Sequence, residues 1–241
     1  MLRKLAAATL IAVLMSAANA LSQCGHTVLG HSGFIVTPTA EIMPDGQIAA
    51  NISRIPKLYA DNYKPYDRTT YIASMGFLPF LEASIGFIRP DNFQGGIGDR
   101  TVSLRLRLLR ESGSRPAVAV GMQDFFAVED LGLEPPAAQH FTSSYIVMTK
   151  HVPSFWGTTL GINVGYGLNY LPSYDKQLTG LFWGLLFSPI KPVQMIYEYD
   201  SEYTNAGLRF FFFQRVHYML SFWKLKYMMH QLSFTINLSK K

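Results

Sequence analysis

In residues 207–223, GLRFFFFQRVHYMLSFW, apolar side chains recur at every second position. The apolar set of the second half is Val216, Tyr218, Leu220 and Phe222. A period of two is that of a β-strand, in which successive side chains point to opposite faces. Gln214-Arg215 separates the two halves, so the segment predicts a hairpin with one uniformly apolar face.

The same alternation recurs along the chain and predicts twelve strands. They cover residues 47–55, 68–77, 81–88, 101–109, 117–125, 143–150, 159–167, 180–187, 193–200, 207–213, 216–223 and 232–238. Runs of about 8–10 residues are long enough to cross a bilayer when tilted. Beyond the N-terminus, no apolar stretch is long enough for a transmembrane helix.

Two features favour a membrane barrel over a soluble β-sandwich. The face opposite the apolar one is rich in Gly, Ser, Thr and Asn, and only 15% of the chain is charged, which suits a narrow polar lumen. Short connections such as 78–80 alternate with long ones such as 56–67, as in barrels with short periplasmic turns and long outer loops. We therefore predict an all-β fold, an antiparallel transmembrane β-barrel of about 12 strands in the outer membrane, with both barrel termini periplasmic.

The Phe run and three other aromatic residues extend this prediction. If one face of residues 207–213 meets lipid, Phe211 and Phe213 pack inside the barrel, which predicts a filled lumen. Trp183, Tyr199 and Phe87 are candidates for an aromatic girdle.

The N-terminal 20 residues have the pattern of a cleaved signal peptide. Arg3 and Lys4 precede an apolar stretch, and Ala18-Asn19-Ala20 is a small-x-small cleavage site. Cleavage leaves 19 basic and 16 acidic residues. The resulting net charge of +3 does not indicate nucleic-acid binding, which needs basic residues clustered on one face. We expect residues 21–46 to form an extended periplasmic segment and residues 47–241 the barrel, and Cys24, the single cysteine, is a candidate for lipidation.

Five segments resemble, in order, the YjbH/GfcD-type exopolysaccharide proteins of Gram-negative envelopes. They are HSGFIVTPTAEIMPDG (31–46), GFLPFLEASIGFIR (76–89), DRTVSLRLRLLRES (99–112), RPAVAVGMQDFF (115–126) and SSYIVMTK (143–150). The resemblance covers roughly residues 33–170. It implies an outer-membrane β-barrel, often a lipoprotein, encoded with capsule or exopolysaccharide genes.

Seven charged residues are predicted to project into or near the lumen, where an unpaired charge is costly. They are Glu82, Arg105, Arg107, Lys150, Glu198, Asp200 and Arg209. They either form a network of salt bridges that fixes strand register or line a polar track for sugar or a periplasmic partner. Five tyrosines of the outer loops are candidates for stacking on sugar rings: Tyr59, Tyr63, Tyr66, Tyr170 and Tyr174.

Signals for catalysis and for cofactors are weak. The six histidines lack metal-ligand spacing, and GGIGDR at 95–100 lacks the Lys-Ser/Thr of a phosphate loop. His217 and Ser221 share an inward face with Glu198 nearby, which leaves a lipid-modifying enzyme open.

The preferred prediction is a non-enzymatic barrel without metal or cofactor that assists exopolysaccharide biosynthesis or export. Its expected partners are outer-membrane lipids, polysaccharide and envelope secretion proteins, with no nucleic acid. The alternatives are a structural or interaction barrel for an envelope partner and, third, the lipid-modifying enzyme.

Overall fold

The computed structural model describes residues 25–56, 67–91, 99–125, 141–153, 158–169, 177–213 and 215–238. Twelve antiparallel strands form one closed barrel in which each strand pairs with its neighbours in sequence and β1 closes onto β12. The strands are β1 Gln47–Ile55, β2 Arg68–Phe77, β3 Leu81–Pro90, β4 Asp99–Leu109, β5 Ala117–Gln123, β6 Ser143–Pro153, β7 Thr159–Leu168, β8 Gly180–Ile190, β9 Val193–Tyr199, β10 Thr204–Phe212, β11 Val216–Trp223 and β12 Tyr227–Asn237. The predicted fold class is confirmed.

The two faces of the wall differ in polarity as the alternation predicts. Along β3, Ile85 is 62% exposed on the outside, whereas Glu82 and Ser84 are buried inside. Large apolar side chains are exposed on the outside of every strand except β5, whose outward side chains Val118, Val120 and Met122 are partly exposed. An apolar outer surface around a polar interior is the arrangement of a transmembrane barrel. The described part of the chain contains no helix that is long and apolar enough to cross a membrane.

The first and last strands begin and end at the same end of the barrel, where Gln47 pairs with Asn237. Because the strands run antiparallel, the connections β2–β3, β4–β5, β6–β7, β8–β9 and β10–β11 also lie at this end. We call it the terminal end. The longer predicted connections start from the opposite end.

The Phe run divides between the lumen and the surface. Phe211 is 5% exposed and points inward, as predicted. The prediction for Phe213 is wrong, because this residue is 72% exposed. The strand alternation stops at Phe212, and Phe213 enters the β10–β11 turn with a positive φ of 50°.

Residues 25–43, which we call the plug, fill the lumen. Every residue from Gly25 to Ala40 is buried. The segment folds back on itself through backbone hydrogen bonds from Thr27 to His31 and from Gly33 to Gly25. The tight turn between them uses Gly30 at a φ of 82°, a conformation that favours glycine.

The plug differs from the periplasmic segment predicted over 21–46. Phe34 and Ile35 belong to the same buried apolar cluster as Leu186 and Ile196 of the wall. Burying these side chains in water-free contact is favourable, and a free segment would leave them exposed. Residues 21–24, with Cys24, and the predicted signal peptide lie outside the described residues.

Candidate functional site: the plugged lumen

The first buried carboxylate that binds the plug is Glu82 on β3. It accepts hydrogen bonds from the backbone N–H of Ser32 at 2.7 Å, the Ser32 hydroxyl at 2.6 Å and the Met43 N–H at 2.8 Å. Arg105 on the neighbouring strand β4 pairs with it, with Nη1 3.1 Å from Glu82 Oε1. Glu82 and Arg105 face each other in the β3–β4 register. The ion pair is therefore built into the wall.

Arg105 binds the plug as well as its carboxylate partner. Its guanidinium donates to the backbone carbonyls of Ser32 at 2.8 Å, Thr39 and Glu41 at 3.0 Å. Arginine has five N–H donors in a fixed planar arrangement, so one side chain can join several carbonyls. We call Glu82 and Arg105 the paired anchor.

The second buried carboxylate, Glu198 on β9, binds a run of backbone N–H groups. Its oxygens accept from Ile35 at 3.1 Å, Val36 at 2.8 Å and Thr37 at 3.2 Å. The Thr37 hydroxyl donates at 2.7 Å and the Asn205 amide at 3.2 Å. Three consecutive N–H groups solvate the carboxylate in place of water, so we call Glu198 the nest anchor.

Arg209 on β10 holds the returning part of the plug. Its Nη2 donates to the carbonyls of His26 at 3.0 Å, Gly33 at 2.9 Å and Phe34 at 2.7 Å. Its Nη1 donates to Gln194 Oε1 at 3.0 Å. Because Nη2 has two hydrogens for these three carbonyls, at least one hydrogen is shared, and Arg209 joins three points along the plug backbone.

Neutral side chains of the wall complete the binding of the plug. Thr149 accepts from the N–H of Ala40 at 2.7 Å and donates to Asn163 Oδ1 at 2.7 Å, and the Asn163 amide donates to the carbonyl of Pro38 at 2.8 Å. The other wall residues that bind plug carbonyls in this way are Asn51, Thr70, Ser74 and Gln231. Most of these bonds go to the backbone of the plug.

Two glycines of the wall create room for the plug. A Cβ at Gly184 would lie 2.5 Å from the ring of Phe34. A Cβ at Gly207 would lie 3.1 Å from Cδ1 of Ile35. Because glycine has no side chain, the plug approaches the wall closely at β8 and β10.

Of the seven predicted lumenal charges, Glu82, Arg105, Glu198 and Arg209 are the ones that bind the plug. Asp200 is also buried, but it lies just past β9 and accepts from the N–H groups of Glu202 and Tyr203 and from the Asn205 amide at 2.9 Å. Burial raises the pKa of Asp200. Its structural effect is to stabilise the β9–β10 connection.

Arg107 and Lys150 lie at the terminal end. Arg107 is half-buried and donates to the carbonyl of Pro79. Lys150 differs from the prediction of a lumenal position, because it shares the outward register of Met148 and is half-buried there. Its Nζ lies 2.7 Å from Glu111 Oε1 in the β4–β5 connection.

Glu111 joins β6 to the β4–β5 connection. Besides Lys150 it accepts from the backbone N–H of His151 at 2.9 Å, and its Oε2 lies 2.8 Å from His151 Nδ1. Partial burial raises the pKa of Glu111, but the hydrogen bonds from Lys150 and His151 lower it by more. The net result is a pKa below the usual 4.5.

Several predicted site residues lie outside the described residues. They are the candidate sugar-stacking residues Tyr59, Tyr63, Tyr66, Tyr170 and Tyr174 and the candidate lipidation site Cys24. These assignments stay predictions.

His217 and Ser221 both face the lumen, as the register predicts, but they occupy different levels of β11. His217 pairs with Phe211 and Ser221 with Gly207. At about 3.4 Å per residue, four positions along a strand separate them by roughly 14 Å. The ring of His217 stacks on His26 of the plug at 5.1 Å. Within the described ranges, no group of three or more His, Cys, Asp or Glu residues could hold a metal ion.

The sequence did not reveal the plug residues as ligands of the wall. Ser32 and Thr37 bind the two anchoring carboxylates through side chain and backbone together. The available signal was the coincidence of inward carboxylates with a lead-in rich in Gly, Ser and Thr, whose backbone needs partners wherever it is buried.

Fold and lumen together define a class: a closed twelve-stranded barrel with an apolar outer surface, filled by its own N-terminal segment. The family model described as exopolysaccharide biosynthesis protein YbjH matches residues 26–240, which include both plug and barrel. The chain belongs to the YjbH family.

Among solved structures, a protein described as KdgM porin is similar at 7% sequence identity, with a TM-score of 0.46. The similarity covers 80% of this chain and 99% of that chain. No curated protein matches the chain.

Proposed function

We propose that this protein is a non-enzymatic outer-membrane barrel that assists exopolysaccharide biosynthesis or export. The family membership supports the process. The observation that carries the proposal is the use of the buried lumenal charges. Glu82, Arg105, Glu198 and Arg209 bind a segment of the same chain instead of lining an open catalytic cleft.

The apolar outer surface supports a location in the outer membrane of a Gram-negative cell, with outer-membrane lipids as neighbours. The terminal end of the barrel faces the periplasm in this proposal. The short β2–β3 and β8–β9 connections at that end support the orientation, because periplasmic turns of such barrels are short. Trp183 packs against Tyr197 and Tyr199 on the outer surface, with ring centroids 5.9 and 6.5 Å apart. This cluster is suited to a membrane interface.

The filled lumen also favours a second candidate, a barrel that serves an envelope protein as a structural or interaction partner. Reproducible co-purification of one envelope protein with the wild-type barrel would favour it. A lipid-modifying enzyme has less support, because His217 and Ser221 lie too far apart for a hydrogen bond and face the packed lumen.

The test of the first proposal is deletion of the gene, followed by measurement of surface polysaccharide amount and attachment. We expect a loss that wild-type protein restores. Membrane fractionation, with gels run unheated and boiled, must show the complementing protein as a folded barrel in the outer membrane. Unchanged polysaccharide in the deletion strain would contradict the proposal.

A further inference from the structure

The wall of the lumen recognises the plug through the plug's backbone. Arg105 and Arg209 each donate to three plug carbonyls. Glu82 and Glu198 accept from five plug N–H groups, those of Ser32, Met43, Ile35, Val36 and Thr37. Such a wall selects a row of closely spaced donors and acceptors rather than particular side chains.

A polysaccharide chain offers a row of the same kind. Each of its hydroxyl groups donates one hydrogen bond and accepts others. Carboxylates, guanidinium groups, amides and hydroxyls of the wall can therefore all find partners on it. Removing the plug without a replacement would leave Glu82, Arg105, Glu198 and Arg209 to be solvated by water in a narrow space.

The charges of the lumen bear on which polysaccharide fits. Among the described residues, the buried charges that bind the plug are two arginines, Arg105 and Arg209, and two acids, Glu82 and Glu198. The two signs balance. A cleft of one sign concentrates ligands of the opposite sign, so this wall provides no attraction for a polyanion.

The space that the plug fills is wide enough for an extended polymer. Within the lumen the plug folds back on itself, with isolated bridges that pair His26 with Ser32 and Gly33 with Pro38. Paired extended chains lie about 4.8 Å apart. The vacated lumen is therefore at least two extended chains wide.

We propose that the inner wall is a binding track for an uncharged polysaccharide, and that the plug occupies this track when the barrel is closed. The proposal rests on the proposed role in exopolysaccharide export and assigns its substrate class. The track consists of Glu82, Arg105, Thr149, Asn163, Glu198 and Arg209. Displacement of the plug exposes these side chains to the lumen.

Substitutions within the plug test the track while leaving the wall intact. A Cβ at Gly33 would lie 2.4 Å from Thr27 Cγ2 and 2.5 Å from the carbonyl of Thr37, both within the plug. A Cβ at Gly25 would lie 1.5 Å from Nη1 of Arg209. Gly33→Val and Gly25→Leu should therefore displace the plug. Gly113→Asn is the control, because an added Cβ there meets no atom within 4 Å and asparagine tolerates the positive φ of 50° at this position.

The full-length variants are reconstituted into phospholipid liposomes, and swelling is measured with maltooligosaccharides and with oligogalacturonates of the same length. Wild type and Gly113→Asn should admit neither sugar. Gly33→Val and Gly25→Leu should admit the uncharged sugar about tenfold faster than the anionic one, because the anionic sugar would lose hydration in a narrow lumen that offers it no net countercharge. Adding Glu198→Gln to Gly33→Val should reduce this preference, because it removes a negative charge from the wall.

Boiled and unheated gels establish which variants are folded, and either plug variant suffices if the other does not fold. Equal or faster uptake of the anionic sugar would overturn the proposal. Folded plug variants that admit neither sugar would also overturn it. Neither result depends on the gene-deletion phenotype, so the track can fail while the role in exopolysaccharide production stands.

Discussion

The paired anchor and the nest anchor solve the same problem in different ways. Glu82 and Arg105 neutralise each other across neighbouring strands, and this ion pair involves no atom of the plug. Glu198 is solvated by three N–H groups and a hydroxyl that all belong to the plug. The first anchor has its countercharge within the barrel wall, whereas the second has N–H groups of the plug in place of a countercharge.

The paired anchor and the nest anchor should therefore stabilise different parts of the protein. The paired anchor should contribute to the stability of the whole barrel, because breaking a buried ion pair leaves a charge without compensation. The nest anchor should govern occupancy of the lumen, because its partners leave together when the plug leaves. Matched substitutions at Glu82 and Glu198 can separate the two roles.

Glu82→Gln should give the largest effect. It removes one member of a buried ion pair and leaves the Arg105 guanidinium without its countercharge. We expect the free energy of unfolding to fall by about 3–5 kcal/mol, measured by urea titration in detergent. Glu41→Gln is the control, because Glu41 is 39% exposed in its side chain, and its change should stay within about 0.5 kcal/mol. Similar losses for both variants would refute the proposed importance of the pair.

Glu198→Gln should lower the free energy of unfolding by less than Glu82→Gln does, and it should loosen the plug. The amide keeps one acceptor oxygen but directs N–H donors toward the N–H groups of the plug. We expect a loss of about 1–3 kcal/mol, together with faster hydrogen exchange at Ile35, Val36 and Thr37. Unchanged exchange at these three amides would show that the nest does not hold the plug.

Thr37→Val removes one contact of the nest, the 2.7 Å hydrogen bond from its hydroxyl to Glu198 Oε2. We expect a loss of about 1.5 kcal/mol, read from the same exchange experiment. Thr37→Ser retains the hydroxyl and should exchange more slowly than Thr37→Val. Equal exchange rates in Thr37→Val and Thr37→Ser would show that the hydroxyl hydrogen bond does not hold the plug.

Asp124 offers a further contrast as a buried carboxyl outside the plug site. Burial raises the pKa of Asp124 from 3.8 to about 6, against the opposing hydrogen bond from the Phe141 N–H. The folded protein therefore binds this proton more tightly than the unfolded chain does. The resulting stabilisation is complete below about pH 4 and is lost as the pH rises through about 6.

The measurement is hydrogen exchange of the Phe141 amide between pH 4.5 and 7, corrected for the intrinsic pH dependence of exchange. Protection should decrease across this range in the wild type, since the ionised carboxyl favours local opening. Asp124→Asn cannot ionise and should give a flatter profile. Parallel profiles for the two proteins would exclude Asp124 as the titrating group.

The strands could be predicted because each has to place apolar side chains outside and smaller or polar ones inside. This requirement produces an alternation of residue types with a period of two. The inward positions of Glu82, Arg105, Glu198 and Arg209 followed from the same alternation. The prediction for Phe213 was wrong because the alternation ends in a turn, where a positive φ changes the direction of the side chain.

The plug could not be predicted, because its contacts join residues that no local pattern relates. Its own sequence indicates an extended segment with turns, which is compatible with either the periplasm or the lumen. Lys150 is a smaller example. Its one-residue offset from Thr149 decides whether it faces lipid or lumen, and the sequence pattern of β6 is too apolar on both faces to settle that choice.

The plug has a consequence for the order of folding. It precedes β1 in the chain, yet its partners Glu198 and Arg209 lie 161 to 183 residues further along. Contacts between such distant residues form slowly, because a long loop must close first. Because the plug continues directly into β1 and also binds Glu198 on β9 and Arg209 on β10, we expect the sheet to curl around it before β12 reaches β1. In that order of events the pairing of β1 with β12 is the last step, and it closes the barrel with the plug already inside.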